Sequence, residues 1–376
     1  MINGRRRSNA SRLSKLTSFT LLLAALCISV VAFGQTIRQR TARPRPSSSN
    51  QQPNASPRPS PTVATIPQGT LPPPPPPPTP LPTATVEPSP PPADDDDDVI
   101  RITSNLVVVP VSVTDAKGEL VRGLTAADFH LEEEGRRQEI ARVGDPEEVP
   151  IELVLLFDVS GSVNARFAFE REAASRFLKT VLKPADHAAV FAIDTEPRVV
   201  SERASVDVAS QKLLAVEPTK GSTAFYDSVV EAAQYLRRTS PPQHRRVIVC
   251  ISDGDDFYSD KIKSLALVLP EVQRADAIFY SINPSGKSIW LNTRSRRGQT
   301  ELQQLATTTG GAAFLPELLE DLDAVFRQIA NELRSQYLLQ YYSTSNASNN
   351  QFLRINVRTP ARSGLRVRAR QGYYKK

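Results

Sequence analysis

Residues 153–163 read LVLLFDVSGSV, an unbroken apolar run that gives way to Asp158, Ser160 and Ser162 on alternate positions. An apolar run of this length, bounded by a polar turn containing Gly, reads as a strand buried on both faces, the kind found inside a parallel sheet. The carboxylate and the two hydroxyls then fall at the C-terminal end of that strand. The surrounding sequence alternates in the same way. Strands are predicted at 152–157, 188–193, 198–201, 247–252, 277–282 and 312–315, and helical periodicity at 167–182, 208–216, 225–238, 261–274, 300–309 and 318–335. Strand and helix in alternation predict an α/β, Rossmann-like fold with a doubly wound, mostly parallel sheet. Ligands of such sheets bind where strand C-termini meet a topological switch point, which is where the quoted motif sits.

The first quarter of the 376 residues has a different character. Residues 1–35 open with Arg5, Arg6, Arg7, Arg12 and Lys15, run through LTSFTLLLAALCISVVAFG, and close on the small residues Ala32 and Gly34, the pattern of a signal peptide cleaved after Gly34. Leu16 to Ile37 carries no charge and is also long enough to remain as a membrane anchor; the small residues favour cleavage. Either reading predicts export to the periplasm, the cell surface or the medium. Leu26 stands before Cys27 where a lipobox needs a small residue, which argues against lipidation. Residues 36–98 then hold 20 of the 32 prolines, seven of them consecutive from Pro72 to Pro78, and predict a disordered, solvated spacer with a stiff polyproline stretch. The aspartates Asp94 to Asp98 close it as a hydrated charge run, lacking the Gly turn of a calcium loop.

Beyond the export signal only Cys250 remains, so no intramolecular disulfide is available, and its setting in RRVIVCISDG predicts a buried, inert thiol. The net charge of +6 is modest for this length, and no basic groove interleaved with aromatics appears, which argues against nucleic acid as a partner. The basic C-terminal stretch RSGLRVRARQGYYKK alternates charge with Leu365, Val367 and Ala369, as a half-buried strand with a solvated face would.

Residues 99–148 and 336–376 read as β structure. The first contains LVVVPVSV, the turn DAKGE, a short turn with Thr125 and Asp128 in capping-box spacing, and a hairpin around Gly135; the second contains QYLLQYY, FLRINVR and LRVRARQGYY. Neither piece alone buries enough surface to be stable. They are expected to pack together as one β-sandwich into which residues 149–335 are inserted.

Three loops of the inserted segment carry oxygen donors: DVSGS with Asp158, Ser160 and Ser162, KGSTAFYDSV with Thr223, and CISDGDD with Asp253. Two carboxylates and three hydroxyls with no His or Cys nearby in sequence suit Mg²⁺ or Mn²⁺ better than zinc. An ion held mostly by neutral hydroxyls keeps uncompensated positive charge and would recruit an outside carboxylate. This ordered set resembles the metal-ion-dependent adhesion site of a von Willebrand factor type A domain, with all five positions present, over residues 149–335. The flanks LVVVPVSVTDAKGELVRGLTAADFHLEEEGRRQEI, TGGAAF and LRSQYLLQYY resemble the exported, von Willebrand A-related bacterial proteins abundant in Acidobacteria. The resemblance implies that Ser160 and Ser162 bind the metal directly, that Asp158 and Asp253 act directly or through water, and that Thr223 joins when a ligand is bound. It further implies a non-enzymatic adhesion module whose protein partner supplies an Asp or Glu carboxylate, with the helix at 318–335 coupled to ligand affinity. Asp227, one turn after Thr223, is expected to buttress that loop, and Asp255 and Asp256 to be solvated loop carboxylates.

Two other readings compete. A serine hydrolase would need a GxSxG elbow, which is absent, and a histidine near the serines, yet His130 lies in the β unit while His187 and His244 precede strands at the opposite edge. DVS also lacks the second carboxylate of a DxD phosphatase, and DGDDFYSD lacks the sixth-position Gly and the twelfth-position Glu of an EF-hand. A structural scaffold without functional metal would leave five oxygens on three loops of one sheet edge unexplained.

Overall fold

The computed structural model of the chain describes residues 106–161, 166–286 and 293–376. The export signal, the Pro-rich spacer with its Asp run, and Ser162 lie outside the described residues. In chain order the first strands are β1 (Leu106–Thr114), β2 (His130–Glu133), β3 (Arg136–Gln138) and β4 (Ile140–Gly144), with a 3₁₀ turn at Ala126–Asp128. The middle of the chain runs β5 (Ile151–Asp158), α1 (Phe167–Val181), β6 (His187–Ile193), β7 (Arg198–Ala204), α2 (Val206–Leu214), α3 (Phe225–Thr239) and β8 (Arg245–Ile251). It continues through α4 (Leu265–Arg274), β9 (Ala277–Ile282), α5 (Thr293–Thr309), β10 (Ala313–Phe314), a 3₁₀ turn at Leu319–Asp321 and α6 (Leu322–Leu333). The last strands are β11 (Tyr337–Tyr342), β12 (Phe352–Arg358), β13 (Arg366–Ala369) and β14 (Gly372–Tyr374).

The middle strands form one sheet in the order β10-β9-β8-β5-β6-β7, parallel except for the antiparallel edge strand β7. Every residue of β5 is buried. Leu153, Leu155 and Phe157 pack with residues of α1, α2 and α6 on one face, while Val154 and Leu156 pack with α3, α4 and α5 on the other. Helices on both faces leave no polar position from Leu153 to Phe157, which explains the uninterrupted apolar run there, and the charged residues Glu152 and Asp158 stand at its two ends. The chain leaves β5 toward β6 on one side and later returns to β8 on the other, so the switch point lies between β5 and β8.

The outer strands form two antiparallel sheets, β13-β1-β11-β4 and β14-β12-β2-β3, each drawing strands from both ends of the chain. Val107, Val109, Val111 and Val113 of β1 alternate into a core shared with Tyr337, Leu339 and Tyr341 of β11 and with Leu131, Ile355 and Val357. This is the expected sandwich-like pairing of the flanks. Thr125 and Asp128 form the expected capping box, and Glu134 and Gly135, both at positive φ, make the β2–β3 turn.

Some elements differ from their sequence pattern. LRVRARQGYY divides at Arg370 and Gln371 into β13 and β14, which belong to different sheets. Its arginines are not confined to a solvated face. Arg368 pairs with Glu332 of α6, Arg370 pairs with Asp276, and Arg370 Nη2 donates to Val108 O at 2.8 Å. Glu332, 3 % exposed, accepts hydrogen bonds from Ser112 Oγ (2.9 Å) and Tyr280 OH (2.6 Å), so one carboxylate joins α6, β1, β9 and β13. Helix α5 begins at Thr293, earlier than the periodicity at 300–309, because its first turns are polar and give no apolar signal. Among the described residues no helix is long and apolar enough to cross a membrane.

Candidate metal centre

Asp158 ends β5, and its oxygens are engaged at once: Ser160 N–H donates to Oδ1 (3.0 Å) and Ser252 Oγ donates to Oδ2 (2.8 Å). Ser252 directly follows β8 and precedes Asp253, so this bond ties the first loop to the third. The second loop is held to both. Thr219 N–H donates to Val159 O (2.7 Å) and Gly161 N–H to Gly221 O (3.4 Å), while Phe257 and Tyr258 N–H both donate to Thr223 O (2.9 and 3.0 Å). Gly221 is required here, since a Cβ would collide with the Asp194 carboxylate, which accepts from Thr219 Oγ1 at 3.1 Å. Asp158, Ser160, Thr223 and Asp253 thus stand on three loops stitched to one another at the C-terminal edge of the sheet; Ser162 lies outside the described residues.

Asp158, Ser160 and Thr223 are 3 %, 3 % and 5 % exposed. Burial raises the carboxyls of Asp158 and Asp253 above their ordinary range, against the hydrogen bonds they accept. Among the described residues no three Asp, Glu, His or Cys side chains gather closely enough to chelate an ion by themselves. A cation here would therefore need the hydroxyls as well, and hard oxygen donors of this kind fit a hard divalent ion.

The acids around the centre have separate duties. Asp227, expected to buttress the Thr223 loop, instead braces the third loop, accepting from Asp260 N (2.8 Å), Lys261 N (3.2 Å) and Ile262 N (2.8 Å), and this holds residues 260–262 out of α4, which starts only at Leu265. Asp255 and Asp256 are not the solvated carboxylates their sequence suggests. Asp255 is 6 % exposed, close to Gly298 of α5, and accepts from Ser295 Oγ (3.3 Å); Asp256 Oδ1 accepts from Tyr226 N (3.2 Å) at the start of α3 and from Ser259 Oγ (2.6 Å). Sequence reasoning also passed over Glu170 on α1. It is 1 % exposed, and burial, opposed by Arg166 and reinforced by Asp158 and Asp253, pushes its carboxyl up to about 7. The histidines stand elsewhere: His187 Nδ1 lies 3.6 Å and His244 Nδ1 2.8 Å from Glu152 at the N-terminal end of β5, and His130 pairs with Glu132 in β2. Cys250 is buried, with its thiol pushed well above its ordinary range by burial.

Residues 153–255, which contain the first, second and third loops as far as Asp255, match the family model of the von Willebrand factor type A domain. The chain carries a von Willebrand factor type A domain. A search of curated proteins finds no match. Among solved structures, the chain is similar to the von Willebrand factor type A protein from Catenulispora acidiphila, at 13 % identity and TM-score 0.41, over 73 % of this chain and 75 % of that one. It is also similar to proximal thread matrix protein 1 from the mussel byssus with a zinc-occupied MIDAS motif, at 15 % identity and TM-score 0.42, over 54 % of this chain and 49 % of the mussel protein, about half its length. A third is the von Willebrand factor domain of the type V pili tip protein Mfa5 from Porphyromonas gingivalis, at 14 % identity and TM-score 0.40, over 49 % and 94 %. In the present chain the type A domain is joined to the sheet β13-β1-β11-β4 through Glu332, and to the segment that follows β4 through Arg245, whose guanidinium donates to Pro146 O (2.9 Å).

Proposed function

We propose that this chain is an exported, non-enzymatic binding module whose type A domain engages an Asp or Glu carboxylate of a protein partner through a divalent cation, Mg²⁺ or Mn²⁺. Asp158, Ser160, Ser162, Thr223 and Asp253 supply the oxygens. Ser160 and Ser162 bind directly, Asp158 and Asp253 directly or through water, and Thr223 when the partner is bound. The observation that carries this reading is the hydrogen-bonded stitching of three oxygen-bearing loops at the switch point of the sheet. When bound, the ion supplies positive charge that the hydroxyls leave uncompensated, and a carboxylate from outside answers it. The rim supports a protein partner: Phe257 and Tyr258, 55 % and 56 % exposed, flank Thr223, and the Arg294 guanidinium lies 4.4 Å from the centre of the Phe257 ring. On this reading residues 99–148 with 336–376 are the β structure that flanks the type A domain at 149–335, residues 36–98 serve as a spacer, and residues 1–35 serve as an export signal or membrane tether.

The reading is tested by water-proton relaxation of the Mn²⁺-loaded chain titrated with the peptide Gly-Gly-Asp-Gly-Gly and its Asn counterpart. The enhancement is expected to fall with the Asp peptide and to stay unchanged with the Asn peptide. An equal response to both, or to neither, contradicts a carboxylate-recognising centre.

A further inference from the structure

Glu170 sits in the first turn of α1, and Phe167 of the same turn packs its ring edge-on against Phe157 at 5.3 Å, which seats the start of the helix against the end of β5. The residue is 1 % exposed, and among the described residues its Oε1 has no hydrogen-bond partner. The neighbouring cation is Arg166, whose Nε stands 3.8 Å from Oε1 but whose Nη1 and Nη2 donate instead to Pro284 O (2.7 Å) and Ser285 Oγ (3.2 Å). A carboxylate buried with an orphaned oxygen is costly unless another charge compensates it. Its other charged neighbours are Asp158 and Asp253, of the same sign.

We infer that Glu170 is a third carboxylate of the metal centre, supplying charge to a bound divalent cation from outside the direct oxygens. This rests on the metal-binding reading of Asp158, Ser160, Thr223 and Asp253. Asp158, Asp253 and Glu170 set three negative charges against the one positive charge of Arg166 around the site, an excess that draws a divalent ion, while the neutral hydroxyls bonded to that ion leave it able to take a partner carboxylate. Glu170 is assigned an action through its field, outside the direct oxygens, in keeping with the absence of any cluster of three such side chains among the described residues. It is a positioning residue, of the outer kind whose loss lowers metal affinity about 10- to 100-fold.

The test is Mn²⁺ titration of the full chain, with free Mn²⁺ read by electron paramagnetic resonance, for the wild type, Glu170→Gln, Arg166→Gln and Asp158→Ala, alongside thermal melts in chelator. Glu170→Gln is expected to weaken Mn²⁺ binding about tenfold or more, while melting in chelator no lower than the wild type, since an uncompensated charge has been removed. Arg166→Gln, which removes a competing cation, is expected to tighten binding, and it decides the matter alone if Glu170→Gln does not fold. Unchanged affinity in Glu170→Gln with binding abolished in Asp158→Ala overturns the role of Glu170 and leaves the centre standing. A lower melting temperature of Glu170→Gln in chelator assigns Glu170 to structure and overturns it too, as does unchanged or weaker binding in Arg166→Gln. No Mn²⁺ binding by the wild type overturns both this inference and the reading beneath it.

Discussion

Replacing Glu332 by Leu would remove the acceptor to which Ser112 Oγ and Tyr280 OH donate, leaving each only the hydrogen bond it accepts from Gln336 Nε2, and would strip Arg368 of its carboxylate partner at the junction between the type A domain and the sheet that holds β1 and β13. Each buried hydroxyl left without its acceptor costs about 1–2 kcal/mol, and a hydrogen bond to a charged group contributes about 1.5–3 kcal/mol. Arg368 keeps 32 % of its side chain in contact with water, so the lower part of that range applies to the pair. Glu332→Leu should therefore destabilise the fold by about 5 kcal/mol and Arg368→Met by about 2 kcal/mol. The double variant should cost about 5 kcal/mol, because the shared bond is lost only once. Urea unfolding of the wild type, both single variants and the double variant, with equal m-values as the condition for comparison, measures the coupling. Strict additivity, with the double variant costing about 7 kcal/mol, would show that the pair contributes nothing and that the junction is held by other contacts.

Other consequences can be checked in the same way. Because the folded Glu170 carboxyl holds its proton up to about pH 7, above the ordinary 4.5 of an unfolded chain, the metal-free protein should lose stability as pH rises between those values. The loss is at most about 3 kcal/mol, and urea unfolding in chelator across that window should show it in the wild type and much less in Glu170→Gln; equal profiles would contradict the shift. A Cβ on Gly298 would lie 2.7 Å from Asp255 Oδ1, 2.8 Å from Gly254 C and 2.9 Å from Asp253 O. Gly298→Ala should therefore cost about 1–3 kcal/mol and weaken metal binding together, as read by thermal melting and Mn²⁺ titration, and a neutral outcome would mean that α5 does not brace the Asp253 loop.

Much of this was legible because burial on both faces of β5 demands the apolar run at 153–157, and the same logic marks β8 and β9. The strand ends then locate Asp158 and Asp253 without knowledge of any contact. Glu170 was missed although its signal is present: it falls on the helical stripe of Ala173, Ala174 and Phe177, where a charged residue is out of place. Asp255 could not be read as buried from its own loop, because Gly298, far along the chain, is what closes over it. The division of LRVRARQGYY is equally invisible locally, since the alternation runs on through Arg370 and Gln371 and only the partners β1 and β12 assign the two halves to different sheets. Arg368 and Arg370 face the type A domain for the same reason: alternation says which residues share a face, and the fold decides what that face meets.

The central claim is that Asp158 and Ser160 hold a divalent cation together with Ser162, Thr223 and Asp253. Calorimetric titration of Mg²⁺ into the full chain, beside Asp158→Ala and Ser160→Ala with folding verified by circular dichroism, tests it most directly. The account predicts saturable binding by the wild type that is lost in both folded variants. Absence of binding by the folded wild type, or binding that survives both substitutions, would contradict it.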